Sequence, residues 1–101
     1  MPEQAYTVTV KKDLEDLIPL FLKNRRQDVE TLRVALAGGD FEQLRQLGHR
    51  MKGAGSSYGF EQVSVLGKQI EEGAKACDHA GLEALIAKYA EYLSRVNVAY
   101  N

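Results

Sequence analysis

From Asp13 to Tyr100 the apolar residues recur at steps of three and four, and short glycine or polar turns break the pattern three times. Such spacing puts one apolar stripe on each of four helices. The first run holds Leu14, Leu17, Ile18, Phe21, Leu22, Val29, Leu32 and Leu36. Pro19 interrupts it. Proline lacks an amide donor and disfavours helix at the residue before it, so a short helical turn, a kink at Ile18-Pro19 and then a long helix are expected. Gly38-Gly39 stops that helix. Asp40 is a candidate N-cap for the second, with Gln43 three residues on as in a capping box. The second helix turns Phe41, Leu44, Leu47 and Met51 inward and runs to about Ser56. Gly59 punctuates, and the third carries Phe60, Val63, Leu66, Ile70 and Ala74. Ala76-Cys77-Asp78 forms a turn with Asp78 as cap. The fourth carries Leu82, Leu85, Ile86, Tyr89, Leu93, Val96 and Tyr100.

Four amphipathic helices with short connections predict an all-α fold, an antiparallel up-down four-helix bundle. Tyr6-Thr7-Val8-Thr9-Val10 alternates like a strand, but no other segment reads as its partner. It is expected to lie on the body as an extended arm, residues 1–11, with the bundle spanning 12–101. A chain of 101 residues with 45% hydrophobic content supports one core, not a core plus a nucleotide-binding lobe. The net charge of −1 provides no global field for nucleic acid or anionic lipid. Lys23-Asn24-Arg25-Arg26 is a short basic cluster, but acidic residues follow closely and no aromatics interleave with it. Cys77 is the single cysteine, read as a half-buried small residue, so neither an internal disulfide nor a multi-cysteine metal site is open to the chain. The first residues lack the basic-then-apolar order of a secretory signal, and no apolar run reaches the ~18 residues that span a bilayer. A soluble, cytoplasmic monomer without a metal is the expectation.

Two histidines are present, His49 and His79. His79 falls at the turn before the fourth helix and reads as a solvated or capping residue. His49 lies in mid-helix. Each helical residue advances about 100°, so with His49 at zero Arg45, Gly53 and Ser56 fall within about 40° and Lys52 within about 60°. Leu44, Leu47 and Met51 lie roughly 140–160° away. If those three form the core, His49 projects into solvent. Lys52 then supplies a positive charge one turn along, suited to the oxygens of a group carried on the imidazole. Gly53 costs helix stability by up to ~1 kcal/mol relative to alanine, a cost that makes sense if another backbone must approach there or if a neighbouring helix packs against it. Gly48 and Gly55 are candidate packing glycines. Ser56 could donate to a phosphate oxygen or bond back to a carbonyl.

The run Leu47-Gly48-His49-Arg50-Met51-Lys52-Gly53-Ala54, followed by Gly59-Phe60, resembles the signature of histidine-containing phosphotransfer (HPt) domains. The signature is His-x-x-Lys-Gly-(Ala/Ser) on the second helix of a bundle, with a glycine ten positions after the histidine, and the resemblance covers nearly the whole chain. It implies a phosphoryl group carried on Nε2 of His49 and exchanged with the aspartate of a receiver domain in a response regulator or hybrid kinase, with a histidine kinase as a further partner. It also implies a polar residue on the third helix beside the histidine. That position, 22 residues on, is Glu71, which could orient Nδ1–H or be an ordinary exposed glutamate. Ser64, Lys68, Glu71 and Lys75 share one flank of the third helix. With Arg45 and Arg50, Ser64 and Lys68 are the candidate partner-binding residues.

In the mechanism this implies, neutral His49 attacks in line and Lys52 neutralises part of the charge on the transferring oxygens. The resemblance assigns Mg²⁺ and the acidic pocket to the receiver partner. A kinase dimerisation domain fits less well. It follows its histidine with an acidic residue and then a proline, and His49-Arg50 has neither. The alternative is a helical adaptor or pseudo-phosphotransfer protein that binds and inhibits a kinase or receiver without carrying phosphate.

Overall fold

The computed structural model describes residues 6–101. A strand, β1 (Tyr6–Val10), leads into a 3₁₀ segment, Lys12–Leu17. Four helices follow: α1 (Ile18–Ala37), α2 (Phe41–Tyr58), α3 (Glu61–Lys75) and α4 (His79–Arg95). A second strand, β2 (Val96–Tyr100), ends the order. The helices form a bundle in which α1 packs on α2 and α4, and α3 packs on α2 and α4, the α2–α3 pair being the most intimate.

The expected turn signals operate. Pro19 stands in the first turn of α1, where its missing amide has no helical partner to lose. The Asp40 carboxylate accepts the amide of Gln43 at 3.1 Å and caps α2. Asp78 accepts the amide of Gly81 at 3.0 Å and caps α4. Gly59 ends α2 at φ +83°. The helix runs two residues beyond Ser56, to Tyr58. Its ring stacks on Phe21 at 4.6 Å, and Phe21 stacks in turn on Phe60 at 4.8 Å.

The core is the stripe that the periodicity implied. Ile18, Phe21, Leu32, Leu44, Met51, Phe60, Val63, Leu66, Ile70, Leu82 and Tyr89 are buried. Each such side chain contributes about 1.5–3 kcal/mol of transfer free energy. Leu17 departs from expectation and is half exposed. It belongs to the 3₁₀ segment, whose tighter winding breaks the 3.6-residue register before α1 begins. Cys77 also departs. It is exposed, with φ +53° at the turn between α3 and α4.

The larger correction concerns the two ends. Tyr6–Val10 is not an unpaired arm, and helix four does not continue through Val96 to Tyr100. The two segments form a parallel two-stranded sheet, with Tyr6 opposite Val96, Val8 opposite Val98 and Val10 opposite Tyr100. Parallel pairing needs a long crossover, and the whole helical body provides it. Val8, Val10, Val96, Val98 and Tyr100 turn toward the bundle, while Thr7, Thr9, Asn97 and Ala99 face out. Two strands are marginal by themselves, so the buried face supplies the stability. Residues 1–5 of the expected arm lie outside the described residues.

Candidate functional site

Helix α2 divides as the wheel requires. Leu44, Leu47 and Met51 are buried, and the His49 side chain on the opposite face is 63% exposed. Beside it on α3 lies Glu71, which is buried, with only 7% of the residue exposed. Its Oε2 is 3.2 Å from His49 Nδ1, and its Oε1 accepts from Lys52 Nζ at 3.2 Å. Lys75 Nζ reaches the same Oε2 at 4.0 Å. Burial works to raise the Glu71 pKa, but the hydrogen bond and charge of Lys52, followed by those of His49, outweigh it and hold the carboxyl below its ordinary value. An ionised carboxylate only accepts hydrogen bonds, so the Nδ1 that faces it carries the proton. In the neutral ring, Nε2 is then the nitrogen with the free lone pair.

The closeness of α2 and α3 explains how a glutamate from one helix comes under a histidine of the other. A Cβ on Gly48 would lie 2.6 Å from the Glu71 amide nitrogen and 2.7 Å from the Gly67 carbonyl oxygen. One on Gly55 would lie 2.5 Å from the Ser64 nitrogen, and one on Gly67 2.6 Å from the Lys52 nitrogen. Only hydrogen at these three positions allows the backbones to meet. Gly48 and Gly55 fill their expected packing role. Gly67 was not singled out from sequence, although a glycine in mid-helix carries a stability cost that was the available signal. Gly53 differs: a Cβ there would meet nothing within 4 Å. It is not a packing glycine against α3, and the surface beside it is open.

The remaining candidates divide between the site and its supports. Ser64 Oγ donates to the Lys52 carbonyl at 2.8 Å. That commits its proton, so in the 3.0 Å pair with Ser56 it is Ser56 Oγ that donates. Both serines thus stitch α2 to α3 next to Lys52. Arg45 is held by Glu42 through contacts of 2.9 and 2.6 Å, and the same bonds lower the Glu42 pKa to about 2. Arg50 is exposed on the side of α2 toward α1, where its charge reaches Asp28. Lys68 is exposed and lines, with Lys52, Ser56, Ser64 and Val65, a groove of about 420 Å³ that runs from Lys52 toward the C-terminal end of α2. His79 is exposed at the first position of α4 and stands apart from this cluster.

Chemically, the arrangement offers an exposed imidazole whose Nδ1 faces a carboxylate, a lysine one turn along and open space beside Gly53. Among the described residues, no three His, Cys, Asp or Glu side chains gather into a group able to hold a metal ion, and no helix is long and apolar enough to cross a membrane. The sequence model of the family described as the Hpt domain matches residues 16–97. No curated protein and no solved structure matches the chain.

Proposed function

We propose that this chain, which belongs to the Hpt domain family, carries a phosphoryl group on Nε2 of His49 and exchanges it with the aspartate of a receiver domain. The observation that carries the reading is the His49–Glu71 pair. It gives a solvent-facing ring a protonated Nδ1 and so an available Nε2. In the forward step the Nε2 lone pair attacks the phosphorus of an aspartyl phosphate in line. The Nε2–P bond forms, the P–O bond breaks, and the aspartate leaves with the electron pair as a carboxylate. The Nδ1 proton stays between the ring and Glu71. Lys52 meets the charge on the equatorial oxygens, as phosphoryl transfer requires.

Gly53 allows the receiver to approach, and the groove lined by Lys52, Ser56, Ser64 and Lys68 extends the docking face. Arg45 and Arg50 lie on its flanks. The receiver supplies Mg²⁺ and the acidic pocket, so the chain is half of an active site and acts as a monomeric carrier in the cytoplasm. Connections of three, two and three residues favour an antiparallel up-down order of the helices.

The test is incubation with phosphorylated receivers. Wild type takes up acid-labile label, and His49→Gln takes up none. Label on His49→Gln would overturn the assignment. Binding of a receiver without any label on wild type would leave the non-phosphorylated adaptor instead. Lys52→Ala slows transfer and leaves the fold intact; an unchanged rate removes its proposed role.

A further inference from the structure

The Glu71 carboxylate is shared by more groups than the transfer step needs. From α2 it receives His49 Nδ1 on Oε2 and Lys52 Nζ on Oε1, both at 3.2 Å, and Arg45 adds charge through space. From α3 it receives Lys75 Nζ at 4.0 Å, one helical turn along. The lysines differ in setting: the Lys52 side chain is 39% exposed, that of Lys75 59%. Once a phosphoryl group sits on Nε2, Lys52 has two anions to serve, and the new one carries the greater charge. If Lys52 turns outward to the phosphoryl oxygens, a buried carboxylate loses its best partner beside a newly arrived anion. A buried charge left without a partner is strongly unfavourable.

We propose that Lys75 is the exchange cation of this site: it closes on Glu71 when Lys52 moves to the phosphoryl group. The inference rests on the phosphoryl-carrier reading and adds a positioning residue to it. Lys75 is already on the same oxygen as His49, on a long and exposed stem, and a small rotation shortens its 4.0 Å approach to a hydrogen bond. Two consequences follow from charge. Lys52 is freed to stabilise the phosphoryl group. In addition, Lys75 weakens the hold of Glu71 on the Nδ1 proton, so the phosphorylated ring deprotonates at lower pH. Hydrolysis of phosphohistidine needs that proton. Water attacks phosphorus, the Nε2–P bond breaks with its electrons going to Nε2, and a neutral imidazole bearing Nδ1–H departs as phosphate and a proton are released. Lys75 therefore lengthens the life of the phosphorylated state.

Phosphoramidate tests this without a partner protein. Its P–N bond breaks, ammonia leaves and Nε2–P forms. After removal of the donor, phosphohistidine is followed by phosphorus NMR across neutral and mildly alkaline pH, with His79 as internal reference. Lys75→Met is expected to hydrolyse about two- to fivefold faster at His49, the range an exposed ion pair supplies. The fall in its rate with pH moves to higher pH, and Lys75→Arg restores wild-type behaviour. In a Glu71→Gln background Lys75→Met has no effect, because the charge it answers is gone. Equal rates for Lys75→Met and wild type would overturn the proposal. So would the same acceleration in the Glu71→Gln background or at His79. The chemical donor labels an exposed imidazole whether or not a receiver does. Failure here therefore leaves the receiver reaction standing, and failure of the receiver reaction leaves this measurement readable.

Discussion

Alanine at Gly48 and at Gly53 should move stability in opposite directions, although the two glycines are five residues apart on the same helix. At Gly48 the added Cβ falls 2.6 Å from the Glu71 nitrogen and 2.7 Å from the Gly67 oxygen. Both obstacles are backbone, so no side chain can swing away. Reaching ordinary contact at 3.4 Å requires α2 and α3 to part by about 0.8 Å along their closest line. Overpacking of this kind costs about 1–3 kcal/mol, and the alanine returns up to ~1 kcal/mol of helix propensity. Because both obstacles are backbone, the cost belongs to the upper part of that range, about 2–3 kcal/mol, and the net expectation is a loss of roughly 1–2 kcal/mol, or about 4–16 °C in Tm for a domain of this size. At Gly53 the Cβ meets nothing within 4 Å, so the propensity term acts alone and Gly53→Ala gains about 0.5–1 kcal/mol. Urea denaturation followed by helical circular dichroism measures both, with the midpoint rather than the slope as the readout. Gly48→Ala as stable as wild type would refute the packing argument. A Gly53→Ala that falls alongside it would show that glycine is needed at 53 for the fold and not for access.

Three further outcomes are expected. Asp78→Ala removes the acceptor for the Gly81 amide and should cost about 1 kcal/mol in the same denaturation assay, with Asp78→Asn retaining most of it. Tyr92→Phe deletes a buried hydroxyl that meets no acceptor among the described residues, so stability should stay level or rise slightly; a loss above ~1 kcal/mol would mean that the hydroxyl is bonded. Glu71 has a lowered pKa in the fold, so its charge stabilises the native state above the ordinary carboxylate pKa of 4.5, and that contribution fades as pH falls below it. The stability gap between wild type and Glu71→Gln, read by thermal denaturation at stepped pH, should be widest near neutrality and close in acid.

The helical stripe and the exposed histidine were legible because both depend on local periodicity. The end of α4 was not. Leu93, Val96 and Tyr100 satisfy steps of three and four, while Val96, Val98 and Tyr100 satisfy steps of two, and no glycine or proline after Arg95 separates the two readings. What decides is the partner strand, about 90 residues away in sequence, which no window along the chain can see. Tyr92 was missed for the same reason: its burial follows in part from the Tyr6 ring, 5.2 Å away in the strand. Glu71 was legible as a neighbour of His49 only through the family pattern. Its burial depends on how near α3 comes to α2, and charge alone predicts a solvated residue.

That nearness joins the seam and the site into one object. Gly48 precedes His49 in the chain and abuts the Glu71 amide, and Gly67 abuts the Lys52 amide. Each residue of the His49–Lys52–Glu71 cluster is therefore fixed by backbone contact at or beside its own position, not by side-chain packing that could relax. The serine pair adds a tie at the Lys52 carbonyl. A 3.2 Å spacing held this way tolerates little: a shift of α3 by about 0.8 Å takes His49 Nδ1 and Glu71 beyond hydrogen-bond reach. Gly48→Ala should consequently lose the tautomer preference of His49, read from the ring nitrogen shifts by NMR, even at temperatures where the variant remains fully folded. Retention of the Nδ1–H tautomer in that variant would mean that side-chain flexibility, and not the glycine seam, sets the site.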